Sequence, residues 1–168
     1  LENKTSIDNI PNIVTKANFS PGVPPVMRER RRALDDLPFL DRELFYSSTR
    51  LGRFPMRSFM VSRGCPYKCT YCFNHKYNLL YKGKGALHSR MSVERVISEL
   101  KELKSRYETQ FIKFYDDIFV MKDDEWLDEF SERYPVEIGL PFHCLMRANL
   151  LTEPILLKLK KAGLASMS

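Results

Sequence analysis

The sequence predicts an α/β fold: a parallel sheet with helices packed outside it. Two observations carry that reading. From Arg57 onward, short apolar or β-branched runs alternate with stretches whose apolar residues recur at helical spacing. The strands of this second part start near 111, 137 and 164, about 26 residues apart, which suits a strand, a helix and two short loops. Composition agrees, since 43% hydrophobic and 29% charged residues in 168 describe a globular chain and exclude wholesale disorder or a collagen-like fibre. That length holds one domain with a core, or one domain plus a tail. Spacing alone leaves an open doubly wound sheet and part of a barrel equally open.

Taken in order, residues 1–56 offer little core. Pro11, Pro21, Pro24, Pro25, Pro38 and Pro55 punctuate them, and SPGVPP at 20–25 suits neither a helix nor a central strand. Residues 12–15 read as a short edge strand and 31–37 as a turn of helix before Pro38. Residues 1–50 are expected to form an extended arm. RSFMVSRG at 57–64 fits a buried strand. MSVERVISELKELKSRY at 91–107 follows as a helix, with Val93, Val96, Ile97, Leu100 and Leu103 on one stripe, Ser92 as N-cap and Glu94 in the first turn. QFIKFYDD at 110–117 is an aromatic and β-branched strand ending in two carboxylates. A helix with Trp126, Leu127 and Phe130 inward is expected over 123–134, stopping before Pro135. A strand follows over 137–147, weakened by Pro141. LTEPILLKLKKAG at 151–163 is the clearest helix, with Thr152 at the cap, Pro154 in the first turn and Gly163 past the end. Leu164 begins a further strand.

The chain opens LENKTSIDN, with no initiator Met and no basic segment leading into an apolar one, so no secretory signal is read. No window of about 18 apolar residues exists to span a membrane as a helix. This opening, and an end directly after a helix, are expected of an excerpt from a longer protein. A net charge of +6 permits an anionic partner without demanding one. The run MRERRR at 27–32 reads as a solvated face.

Cysteine placement says more. Three of the four cysteines lie within eight residues, Cys65-Pro66-Tyr67-Lys68-Cys69-Thr70-Tyr71-Cys72, a C-x3-C-x2-C that points to a reducing compartment and a metal rather than a disulfide framework. Gly64 lets the backbone turn sharply where the expected strand meets this loop, and loops after strand C-termini are where α/β proteins build active sites. Three thiolates leave one corner of a cubane iron–sulfur cluster for another ligand. A structural zinc site completed by His75 or Cys144 competes with that reading, although paired C-x2-C knuckles are the commoner zinc source. Cys144 alternatively behaves as a small buried hydrophobe.

The text RGCPYKCTYCFNHKY, together with LDDLPFLDREL at 34–44, FYDDIF at 114–119 and LLTEPILLKLKKAG at 150–163, resembles the radical S-adenosylmethionine (SAM) superfamily. Within it the chain looks like the branch whose members often carry an N-terminal cobalamin-binding domain. The resemblance covers about residues 30–168. It implies the N-terminal half of a partial (β/α)6 TIM-like barrel over 51–168, with residues 1–50 as a linker after a cobalamin domain outside this sequence.

It further implies that Cys65, Cys69 and Cys72 ligate three irons of a [4Fe–4S] cluster, while SAM chelates the fourth. Tyr71 and Phe73 would lie by the cosubstrate's adenine. Asp116 and Asp117 would stand near the methionine moiety or the substrate as catalytic candidates, and Arg147 would pair with a carboxylate or with SAM. The activity implied is reductive cleavage of SAM to a 5′-deoxyadenosyl radical for C–H activation of an unknown small molecule, with cobalamin-dependent methylation as one outcome. An electron donor such as flavodoxin or ferredoxin and a cytoplasmic setting go with it. Residues 1–168 alone are expected to cleave little SAM, because family motifs for the ribose lie beyond them. A radical SAM tRNA-modifying enzyme and a zinc-stabilised RNA-binding or interaction module are the competing functions. Against the last, the basic residues lack periodic interleaving with aromatics.

Overall fold

The computed structural model describes residues 6–168, so the first five residues of the expected arm lie outside the described residues. The chain divides into two compact units. One takes the chain through Arg32 together with Pro66–Leu87; the other takes Ala33–Cys65 together with His88–Ser168.

In chain order the elements begin with helix α1 (Glu43–Ser48), a 3-10 turn (Arg50–Arg53) and strands β1 (Met56–Phe59) and β2 (Ser62–Arg63). Helix α2 (Asn74–Leu80), the helix of the first unit, precedes β3 (Ser89–Arg90) and α3 (Val93–Arg106). Then come β4 (Phe111–Phe114), α4 (Glu125–Glu137), β5 (Phe142–Cys144), a 3-10 turn (Ala148–Leu150), α5 (Glu153–Ala162) and β6 (Leu164–Met167).

Within the second unit β1, β4, β5 and β6 form one sheet in that order, parallel throughout. Spatial order follows chain order, so every crossover advances in the same direction. Right-handed crossovers, the rule for parallel strands, then put α3, α4 and α5 on one face, where α4 packs against both neighbours. A doubly wound sheet would instead reverse direction and cover both faces. The arrangement is therefore consistent with a segment of a β/α barrel, without a closed barrel.

Local chemistry explains the helices that the periodicity predicts. Ser92 Oγ accepts the Arg95 amide at 3.1 Å and Glu94 sits in the first turn of α3, while Lys104 and Arg106 occupy its last turn. Val93, Val96, Ile97, Leu100 and Leu103 are all buried. In α5, Pro154 occupies the first turn and Gly163 ends the helix at φ 108°, a left-handed conformation that glycine adopts without steric cost. Thr152 stands at the cap, but its side chain makes no capping bond.

Elsewhere the structure departs from expectation. The run 57–64 is not one strand. Its first half joins the sheet, and Ser62–Arg63 turns away to pair antiparallel with β3. Residues 12–15 form no strand, because Asn12 turns the chain at φ 69°. Residues 31–37 make turns, and the helix comes later, at α1. Helix α4 runs through Pro135 to Glu137. A proline so near the end removes a single intrahelical bond, and the carbonyl of Tyr134 still closes the turn by accepting the Ile138 and Gly139 amides at 2.9 Å each. The expected strand over 137–147 pairs only at β5. Helix α2 was not expected, since NHKYNLL carries no apolar stripe.

The core lies between the sheet and its helices, with Phe114 at its centre. Its ring meets those of Phe59, Phe119, Phe130, Tyr134 and Phe142 at centroid distances of 6.0, 4.7, 6.1, 6.2 and 5.4 Å. Trp126, expected as core, is part-buried and stacks on Phe130 at 5.0 Å. Two buried charged groups tie the residues before β1 to this unit. Glu99 on α3 receives Arg42 at 2.8 Å and Arg95 at 3.3 Å. Arg57 on β1 donates to the carbonyls of Leu51, Gly52 and Glu108 at 3.0, 3.2 and 2.9 Å. Among the described residues no helix is long and apolar enough to cross a membrane.

Candidate metal centre

Parallel strands bring their C-terminal ends to one edge of the sheet, where Asp116 and Asp117 follow β4 and Arg147 follows β5. Cys65 follows β2, in the separate pair of strands β2 and β3. Backbone bonds lace the edge together: the Tyr115 amide donates to the Phe59 carbonyl, Phe119 to Leu145, and Met146 to Ser168, at 2.9, 3.0 and 2.9 Å.

Asp116 and Asp117 have opposite surroundings, because the in-and-out alternation of β4 continues past its end. Asp116 is fully buried. Its carboxylate accepts the Val61 amide at 3.3 Å and both the amide and the hydroxyl of Ser62 at 2.5 Å. Those three bonds bend the chain out of β1 and into β2, so Asp116 sets the path that leads to Gly64, at φ 85°, and Cys65. Asp117 is exposed. Burial, with a smaller contribution from Arg90, holds the His88 imidazole below its ordinary value, and the charge of Asp117 opposes them. Arg147 is half-buried between β5 and the following 3-10 turn.

Burial pushes the Asp116 carboxyl up to about 6, against the pull of its hydrogen bonds to Ser62 and Val61 and of Arg63. Its folded pKa thus exceeds its ordinary value of 3.8, so between the two the folded chain keeps a proton that the unfolded chain has released. The resulting stabilisation is complete below the ordinary value and is lost as pH rises through the folded one. In the metal-free chain, wild type should therefore lose about 3 kcal/mol relative to Asp116→Asn between about pH 4 and pH 7. Urea midpoints across that range measure it, and parallel pH profiles for the two proteins would contradict the assignment.

Cys69 and Cys72 belong to the first unit, in the turn that leads into α2. The Cys72 amide donates to the Cys69 carbonyl at 3.1 Å, and the Cys72 carbonyl lies 2.5 Å from His75 Nδ1. Both thiols are part-exposed, whereas Cys65 is buried, and no cysteine is in a disulfide. Tyr71 and Phe73 are 92% and 69% exposed; the Phe73 ring meets that of Tyr77 edge-on at 6.5 Å. Cys144 is different: it is fully buried in the core, and burial, with a smaller contribution from Asp116, pushes its thiol up to about 12.

Among the described residues, no group of three or more His, Cys, Asp and Glu side chains is drawn together as a metal site. The donor chemistry nevertheless fits an iron–sulfur cluster in kind. Three thiols outside any disulfide share one loop, and the fourth is held neutral in the core. The zinc alternative needs a fourth protein ligand; burial holds Cys144 neutral and unsuited to that part, whereas His75, with Nδ1 against the Cys72 carbonyl, keeps its other ring nitrogen for it.

The face of the sheet opposite the core adds residues that the sequence pattern did not single out. Ser58, Lys113 and His143 occupy one register row across β1, β4 and β5, and His143 pairs with Ser166 of β6. His143 Nδ1 and Ser166 Oγ are 2.9 Å apart, and the Lys113 ammonium lies 4.5 Å from the Tyr115 ring. The available signal was the polar residue at alternate positions of FIKF and FHC, which places it opposite the core side chains.

Comparison with known proteins decides the family. The model of the radical SAM superfamily matches residues 59–168, from the end of β1 through β6. The chain belongs to the radical SAM superfamily. An uncharacterized methyltransferase of Pyrococcus horikoshii is 28% identical to this radical SAM chain over 133 residues, which are 77% of the chain. The matched region spans 27% of that relative's length.

Proposed function

We propose that this radical SAM chain holds a [4Fe–4S] cluster on Cys65, Cys69 and Cys72 and serves a SAM-cleaving enzyme that activates a substrate C–H bond. The single observation behind this is the superfamily match across 59–168, which takes in a C-x3-C-x2-C whose thiols are all outside disulfides. When bound, the cluster supplies one electron to the sulfonium of SAM, whose C–S bond then splits into methionine and a 5′-deoxyadenosyl radical.

The protein's own contribution is ligation, orientation and exclusion of water. Cys65, Cys69 and Cys72 would each give a thiolate. Exposed Tyr71 and Phe73 would cover the adenine. Asp117 and Arg147, at the strand ends, would contact the methionine moiety or the substrate, and buried Asp116 would hold the chain that carries Cys65. The row of Ser58, Lys113, His143 and Ser166 is the substrate-facing side of the sheet in this reading.

Residues 51–168 act as the first part of the catalytic domain and residues 1–50 as the segment joining it to a cobalamin-binding domain. Methyl transfer is the outcome that the relative's designation as a methyltransferase favours; in this reading cobalamin would carry the methyl group. The four lysines and absent acidic residues of Pro66–Leu87 suit an acidic electron donor of the flavodoxin or ferredoxin kind, in the cytoplasm.

Metal analysis tests the reading. After anaerobic reconstitution the chain should carry about four irons and four acid-labile sulfides. Bound zinc without sulfide would overturn the proposal and restore the interaction-module reading.

A further inference from the structure

We propose that Arg30 is a positioning residue for the cysteine turn, fixing Cys69 and Cys72 from the arm by clamping α2. The inference rests on the cluster reading above for its purpose, and on the first unit alone for its geometry.

Helix α2 needs such a support. It has seven residues, starts at Phe73 with no side-chain cap, and buries only Asn74. Helices so short are marginal in water without tertiary packing. Yet Tyr77, Leu79 and Leu80 are 41%, 63% and 56% exposed, so the helix buries little of its own apolar surface.

The arm supplies polar and cation–π contacts. The Arg30 guanidinium lies over Tyr77 and Tyr81, 5.1 and 4.9 Å from their ring centroids, and those rings are 4.7 Å apart. One terminal nitrogen donates to Asn78 Oδ1 at 2.8 Å and the other to the Leu87 carbonyl at 3.4 Å. The Arg30 amide donates to the Lys84 carbonyl at 2.9 Å. Asn12 Nδ2, further up the arm, donates to the Tyr81 hydroxyl at 2.6 Å.

From this clamp a continuous series of bonds reaches the cysteines. The Tyr77 amide donates to the Phe73 carbonyl at 3.0 Å; His75 holds the Cys72 carbonyl; the Cys72 amide holds the Cys69 carbonyl. Only a planar group with forked donors can face two rings and bond in its own plane at once, so lysine is a poor substitute.

Hydrogen exchange and thiol alkylation of the metal-free chain test this, for wild type, Arg30→Ala and Arg30→Lys. In Arg30→Ala, amide protection over 74–80 should fall at least about tenfold and Cys69 and Cys72 should alkylate severalfold faster, with α3 and α4 unchanged. Arg30→Lys should recover less than half of the lost protection. After reconstitution, Arg30→Ala should also broaden the electron paramagnetic resonance spectrum of the reduced cluster. Unchanged exchange and alkylation in both variants would overturn the proposal, as would full recovery in Arg30→Lys. Should Arg30→Ala lose protection throughout the chain, selective loss over 74–80 in Arg30→Lys still supports it. If the metal-free measurements come out as expected while wild type takes up no iron or sulfide, the cluster reading fails and the clamp stands.

Discussion

Single replacement of Cys65, Cys69 or Cys72 by alanine should lower bound iron and acid-labile sulfide at least about tenfold after anaerobic reconstitution, since changes merely behind metal ligands already cost about 10–100-fold in affinity. Cys144→Ala should keep the wild-type content. The contrast follows from surroundings rather than residue type. The three loop cysteines sit around a glycine turn and a short helix start, where a thiolate can be presented. Cys144 is enclosed by the core of the second unit, where burial drives its thiol toward the neutral form that binds metal poorly. Full sulfide retention in any of the three loop variants would remove that cysteine from the ligand set. Loss in Cys144→Ala with the fold intact would bring in the residue that the structure sets apart.

Phe114→Ala should be the most damaging core substitution, at about 3–5 kcal/mol out of a total stability of about 5–15 kcal/mol. Phe114 is fully buried and its ring touches five other aromatic rings drawn from β1, β5, α4 and the segment after β4. Truncation leaves a cavity whose walls are large, interlocked rings that relax poorly. Urea unfolding followed by the fluorescence of Trp126, the one tryptophan, reports on it directly because Trp126 stacks on Phe130 within the same cluster. A cost below about 1 kcal/mol would mean that the core repacks freely, against the close packing described.

The two substitutions divide the molecule sensibly. One removes chemistry that the fold presents at its edge; the other removes the packing that makes the edge. Asp116 lies between them. Its carboxylate is buried like a core group, yet its hydrogen bonds steer the segment that bears Cys65. Asp116 and Asp117 read alike in the sequence, as adjacent site candidates, and the alternation that continues past β4 separates them: one inward and bonded, one outward and exposed.

Much of the fold could be read from local pattern. Helices α3 and α5 carry their stripes, caps and terminal charges in consecutive residues, and the interval between strand starts required a parallel sheet with intervening helices. The C-x3-C-x2-C was equally legible, because ligation by one loop is encoded in adjacent residues. Other features have no such local code. Helix α2 has no apolar stripe, so its formation depends on Arg30, more than forty residues upstream, laid across Tyr77 and Tyr81. The break between β1 and β2 comes from Asp116, a carboxylate just past β4, the strand that pairs with β1. The polar row through Lys113 and His143 exists only once the strands are in register.

By itself, then, the sequence determined the α/β class, the main helices, the three-cysteine loop and the resemblance to radical SAM proteins, all of which reside in short-range spacing. Tertiary structure decided strand order, and with it the choice of a barrel-like segment over a doubly wound sheet. It also decided which aspartate is buried, which cysteine is enclosed in the core and what supports α2. Each of these depends on contacts between residues far apart in the chain, whose energies come from burial and from hydrogen bonds that no local periodicity records.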